Sequence, residues 1–160
     1  MILAVFGENI STMTALVDDV LALNPSSAPG WYYSGFLRLM AGKADLAIEQ
    51  AEVSLGLSLG APTGAAHTLI GASHFVSRHF DEAMAKLLLA LQQAPNFTVP
   101  YRYLAACYAH LGHLEEARDV VKRLRAITPV VMPPDIMYLR DAEHRVLYWS
   151  GLRLAVGETA

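Results

Sequence analysis

Three pairs of small residues recur at a fixed interval and constrain what this chain can fold into. Gly35 and Ala47, Gly71 and Ala83, and Ala105 and Ala117 each lie 12 residues apart, and the first members follow one another after 36 and 34 residues. Around them, apolar residues recur with the three-to-four spacing of one helical face, so each pair reads as two antiparallel helices whose backbones approach where side chains are small. The stretch His67 to Pro95 is the clearest copy, containing Gly71, Ala83 and Ala90 and closing on a proline. Pro25 lies 70 residues before Pro95 and Pro129 lies 34 after it, while Leu59 stands where one further closing proline would fall. Repetition of this length implies a stack of helix pairs rather than a single closed core.

Punctuation sets the expected boundaries. From Ser11 a helix carries Met13, Leu16, Val17, Val20, Leu21 and Leu23 on one face and ends at Asn24-Pro25. Ser27 is the expected N-cap of the next helix, with Pro29 in its first turn, where a missing N–H costs nothing. That helix carries Trp31, Gly35, Leu39 and Met40 and stops at Gly42; Ala44 to Leu57 is its antiparallel return. A loop leads to Gly64, then come helices to about Ser77, from about Phe80 to Gln93, from Thr98 to Leu111 and from Leu114 to Ile127. Pro133 and Pro134 enforce an extended lead, after which Asp141 caps a terminal helix reaching about Val156. Residues 1 to 7 read as the stump of a helix whose beginning is absent. The expected layout is therefore a repeat array over 1–129, with a partial first repeat at 1–25 and full copies near 28–59, 64–95 and 98–129. A lead and capping helix occupy 130–160.

Composition narrows the function. A net charge of −3, with basic residues scattered except over Lys122 to Arg125, argues against nucleic acid, which needs a concentrated basic surface. A charged fraction of 17% and a mean hydropathy of +0.32 imply that some apolar surface meets a partner or a neighbouring repeat. One cysteine, Cys107, excludes an intrachain disulfide and a cysteine-based zinc site, in keeping with a reducing, cytoplasmic setting. Residues 53 to 77 carry no Asp, Glu, Lys or Arg, but Gly56, Gly60, Pro62, Gly64 and Gly71 interrupt the run, so no membrane span is expected. The apolar start has no basic flank and meets Glu8 too early for a signal peptide.

Trp31-x2-Ser34-Gly35, then Ile70-Gly71 with Ala83 and Pro95, then Tyr101-x2-Leu104-Ala105-x2-Tyr108 with Ala117 and Pro129 together resemble the tetratricopeptide repeat family. Ser34 and Arg38 depart from its pattern, as do His67 and His74 in place of both aromatics of the second copy. The resemblance implies an all-α solenoid of antiparallel helix pairs whose first helices line a concave groove that holds a peptide or helix. By register the groove-facing residues are Tyr32, Phe36, Leu39 and Met40, then Ala65, Thr68, Ala72, Phe75 and Val76, then Arg102, Ala106, Ala109 and His110. Their apolar character, without the basic clamp that grips a carboxylate in chaperone-binding members, points to an apolar or amphipathic partner segment. Alternatively the terminal helix, or repeats upstream, cover this face from within. Residues 140 to 160, with Glu143-His144-Arg145 and Ser150-Gly151-Leu152-Arg153, also resemble the end of bacterial proteins joining a class III nucleotide cyclase or a winged-helix domain to such an array. The expected function is a non-catalytic protein-protein interaction or oligomerisation module, self-associating through its cut N-terminal face as a homodimer. The alternatives are a regulatory tail of a nucleotide cyclase and a spacer in a transcriptional regulator.

The chemistry-bearing residues read as structural. His74 with His79, and His110 with His113, suggest a metal pair, yet no cysteine or carboxylate converges on them in sequence. Cys107 lies mid-helix between Ala106 and Tyr108, the setting of a packed thiol. Trp31 packs between helices by the family pattern, while Trp149 is either an anchor or a core residue. Asp18-Asp19, Asp81-Glu82 and Glu115-Glu116 are adjacent on helices, point apart and read as solvated helix faces and starts. No phosphate loop, dinucleotide fingerprint or hydrolase motif is present. Hence no catalytic residue, cofactor or metal is expected.

Overall fold

Caps and tight turns decide where each helix begins, and the computed structural model describes residues 9–134, 136 and 138–158. The apolar start at residues 1 to 7 lies outside the described residues. Helix α1 (Ile10–Leu23) opens on Asn9, whose side chain accepts from the Ser11 N–H, and closes at Asn24 before Pro25. Helix α2 (Ala28–Met40) opens on Ser27, whose Oγ accepts from the Gly30 N–H at 3.1 Å, with Pro29 in the first turn. The remaining helices are α3 (Ala44–Leu57), α4 (Gly64–Val76), α5 (Phe80–Gln93), α6 (Thr98–His110), α7 (Leu114–Ile127) and α8 (Ala142–Val156); the described residues contain no strand. None of these helices is long and apolar enough to cross a membrane.

Helices α2 and α3, α4 and α5, and α6 and α7 form three antiparallel pairs. A left-handed residue makes the turn within each: Gly42 (φ 76), Arg78 (φ 61) and Gly112 (φ 80). The recurring small residues sit where the paired backbones meet. A Cβ on Gly35 would lie 2.9 Å from the Ala47 carbonyl oxygen, and one on Gly71 would lie 2.7 Å from Leu87 Cγ. Ala105 and Ala117 hold the same places in the third pair, both fully buried. With α4 in contact with both α2 and α6, the three first helices line one face of the stack, as the register of the sequence predicts.

Helix α8 departs from the stack. It packs chiefly on α6, less on α7, and reaches α4, so it lies across the concave face rather than extending the array beyond α7. Asp141 caps it, accepting from the Glu143 and His144 N–H groups at 2.8 and 3.1 Å. These bonds, the one from His144 above all, hold the Asp141 carboxyl below the usual carboxylate value. The extended lead before it is held by guanidinium groups. Arg102 donates from Nε to the Val131 carbonyl (2.8 Å) and from Nη2 to the Val130 carbonyl (2.7 Å), and Arg145 bonds the Leu139 and Arg140 carbonyls. Such donors satisfy backbone oxygens that a segment without helix or sheet would leave unpaired.

Candidate functional site: the concave groove

The groove takes its character from rings that three first helices and the lead bring together. Tyr32 and Phe36, one helical turn apart on α2, stack with centroids 6.5 Å apart, and Phe36 stacks on Tyr138 of the lead at 6.2 Å. The Tyr138 hydroxyl bonds that of Tyr103 on α6 at 2.9 Å. Tyr103 in turn meets Tyr148 of α8 edge-on at 4.9 Å and Phe75 of α4 at 5.3 Å. Burial pushes the Tyr138 phenol up to about 12 and raises the Tyr103 phenol well above its ordinary value, so both stay protonated.

Helix α8 divides the groove in two. In the half nearest α6 it fills the face: Phe75, Tyr148 and Leu152 are buried, and His110 Nε2 bonds the Leu147 carbonyl at 2.8 Å. Gly151 permits the approach, since a Cβ there would sit 2.7 Å from Ala106 Cβ. In the half nearest α2 a cavity of about 210 Å³ remains open, lined by Tyr32, Phe36, Leu39, Ala65, Thr68, Leu69, Ala72, Phe97, Val99, Tyr103 and Tyr138. Among the described residues, no ionisable side chain apart from the tyrosines borders it. Thr68, which also lines the cavity, donates its hydroxyl to the Gly64 carbonyl at 2.7 Å.

The residues expected on the groove therefore fall into two sets. Tyr32, Phe36, Leu39, Thr68 and Ala72 meet at the open cavity, as does Ala65 at its exposed rim. Phe75 and Val76 are buried in the core, Arg102 lies buried beneath the lead, Ala106 sits beneath α8 and Ala109 is buried; Met40 is fully buried at the far end of α2, and His110 is taken up by the contact with α8. Covering from within thus operates at one end of the groove. Leu69, Phe97, Val99, Tyr103 and Tyr138 join the cavity without having been expected there. The first four lie next to predicted positions or at a helix start, whereas Tyr138 sits in the non-periodic lead and carries no sequence signal.

The other candidates resolve into packing. His74 and His79 lie with ring centroids 6.0 Å apart, and burial lowers the His74 pKa. His110 is engaged by α8 while His113 sits 3.8 Å from Glu116, so that pair does not converge. Among the described residues no three or more His, Cys, Asp or Glu side chains gather as metal ligands would. Cys107 is fully buried, and burial raises its thiol pKa, opposite to the depression a reactive thiolate needs. Trp31 Nε1 donates to the Pro25 carbonyl at 2.8 Å, and Tyr101 makes the corresponding bond to Pro95 at 2.9 Å. Trp149 is half-buried, edge-on to Tyr148. Asp18 pairs with Arg38 at 3.0 Å and Glu115 with Arg118.

Comparison with known proteins agrees with this architecture. No curated protein matches the sequence. Among solved structures, MamA is similar over 92% of this chain and 86% of its own, with 16% identity and a TM-score of 0.69. YrrB, described as a tetratricopeptide repeat protein with an unusual peptide-binding site, is 19% identical over 92% of this chain and 81% of its own, with a TM-score of 0.62. The first such repeat domain of Spaghetti (RPAP3), solved bound to an HSP90 peptide, is 20% identical over 77% of this chain and 94% of its own, with a TM-score of 0.60. The tetratricopeptide repeat family matches residues 77–131, and the chain as a whole has the all-α fold of tetratricopeptide solenoids.

Proposed function

We propose that the chain is a protein-interaction module that binds an apolar or amphipathic segment of a partner in the open, α2-side half of its concave groove. The open apolar cavity between α2, α4, α6 and the lead carries this reading. Desolvating such a surface drives association, while its few polar groups fix orientation. Peptide binding by YrrB and by the RPAP3 domain, on the same fold, supports it. A peptide array probed with the purified chain tests the proposal. Binding peptides are expected to share apolar residues at helical spacing, and Phe36→Glu, half-buried at the cavity mouth, is expected to abolish their capture while leaving helicity by circular dichroism unchanged. Equal capture by the variant counts against the groove. Phe75→Glu is unsuitable as a companion because Phe75 is fully buried and a carboxylate there would disrupt the core.

A second surface supports self-association. Leu16, Val20 and Leu23, at one-face spacing on α1, are 60%, 54% and 89% exposed. We read this row as a contact between two copies. Sedimentation is expected to show a dimer that Leu16→Glu with Val20→Lys converts to monomer; a wild-type monomer at high concentration overturns it.

A further inference from the structure

The rings along the groove form one continuous series that is complete at one end and open at the other. At the complete end the chain supplies its own occupant: Tyr148 of α8 lies edge-on to Tyr103 and, at 6.4 Å, to Phe75, and is 1% exposed. From Tyr103 the series passes through the bonded Tyr138 hydroxyl to Phe36 and Tyr32, and there it borders the empty cavity.

We propose that this cavity receives one uncharged aromatic side chain with a polar tip, Tyr or Trp, from a helical partner segment, which takes in the open half the place Tyr148 takes in the filled half. The proposal rests on the groove-binding reading above and narrows it to a class of partner. Three observations carry it. The same face already seats an amphipathic helix through an aromatic ring, and the cavity is continuous with that contact through Tyr103 and Tyr138. Its size, about 210 Å³, falls below the roughly 300–1,000 Å³ of sites that enclose a whole small ligand and suits a single large side chain. Among the described residues its wall has no acid or base beyond the tyrosines, so a carboxylate or ammonium anchor would lose its water without gaining a counter-charge there. The bond between the Tyr103 and Tyr138 hydroxyls uses one of their two protons, which leaves a donor and acceptor lone pairs for the tip of an incoming ring.

Short alanine-based host peptides carrying Trp, Tyr, Leu or Glu at the central position are the probes, titrated into the full chain while the methyl resonances of Leu69, Ala72 and Val99 are followed. The Trp and Tyr hosts are expected to shift these methyls saturably and to bind several-fold, up to about tenfold, more tightly than the Leu host. The Glu host is expected to leave the methyls unmoved. In Ala65→Phe, a ring placed on the exposed rim fills the cavity from the chain itself; Trp-host binding is expected to disappear while the thermal midpoint is maintained or rises. Equal affinity for Leu and Trp hosts at the same methyls, or undiminished Trp-host binding by Ala65→Phe, overturns the aromatic anchor and leaves the groove reading standing. No shift of these methyls with any host at millimolar concentration overturns both.

Discussion

At the scale of single residues, Arg102 shows how a polar side chain that faces the groove in sequence becomes a structural clamp. Beneath the lead it holds, the residue is only 9% exposed, and its guanidinium also donates to Thr98 Oγ1 at 3.0 Å. Arg102→Met removes charged donors from two carbonyls and is expected to lower stability by about 2–3 kcal/mol, measured by urea denaturation. The helical register puts Arg102 among the groove-facing positions, but the residue is buried beneath the lead, and its partners Val130 and Val131 lie in a segment without periodicity, so their pairing is not legible in sequence. His67 and His74 carry the pH dependence. Burial is the largest cause of the lowered pKa of both, with Glu82 opposing it at His74, and the Nδ1 of each is buried without a partner. Because the unfolded chain, near 6.5, binds these protons more readily than the folded one, the stability they contribute is full above that value and is lost as pH falls through the folded-state values. The urea midpoint is expected to drop between about pH 7.5 and about pH 5, and the drop to shrink in the His67→Gln, His74→Gln double variant.

At the scale of elements, the helices were legible because caps and breakers are local. Ser27, Asn24-Pro25 and Asp141 each act through bonds to backbone groups a few residues away, so their effect is confined to a short window of sequence. The turn of the second pair hid its geometry. Gly42 and Gly112 announce a left-handed residue, whereas Arg78 occupies the same conformation with a side chain that disfavours it. Arg78→Gly is expected to stabilise the chain by about 1 kcal/mol, seen as a higher urea midpoint. Docking of α8 onto α6 was not legible. Its apolar residues guarantee burial somewhere, but the choice between stacking after α7 and folding into the groove depends on Gly151 meeting Ala106, a contact between residues 45 apart. For the same reason the open part of the site was readable from register at Tyr32, Phe36 and Ala72, and unreadable at Tyr138.

At the scale of the whole molecule, the two ends of the stack differ. The outer side of α7 carries Glu115, Arg118, Asp119, Lys122 and Arg123 toward water, while α1 presents Leu16, Val20 and Leu23. Between them, α8 seals the groove half formed by Phe75, Ala106 and His110. Gly151→Leu forces a side chain against Ala106 and is expected to cost roughly 1–3 kcal/mol, loosening α8. The opening is expected to appear as amide hydrogen exchange over Ala142–Val156 that is about tenfold or more faster than in wild type. An unchanged exchange rate over this helix would mean that the Gly151–Ala106 approach does not hold α8 in place.

The crosswise seat of α8 also gives the molecule a mechanical polarity. If the chain is pulled at Gly157, α8, packed on α6 more than on α7, is expected to be loaded from its last turn. Lifting α8 away would uncover the ring of Phe75 and the sealed half of the groove.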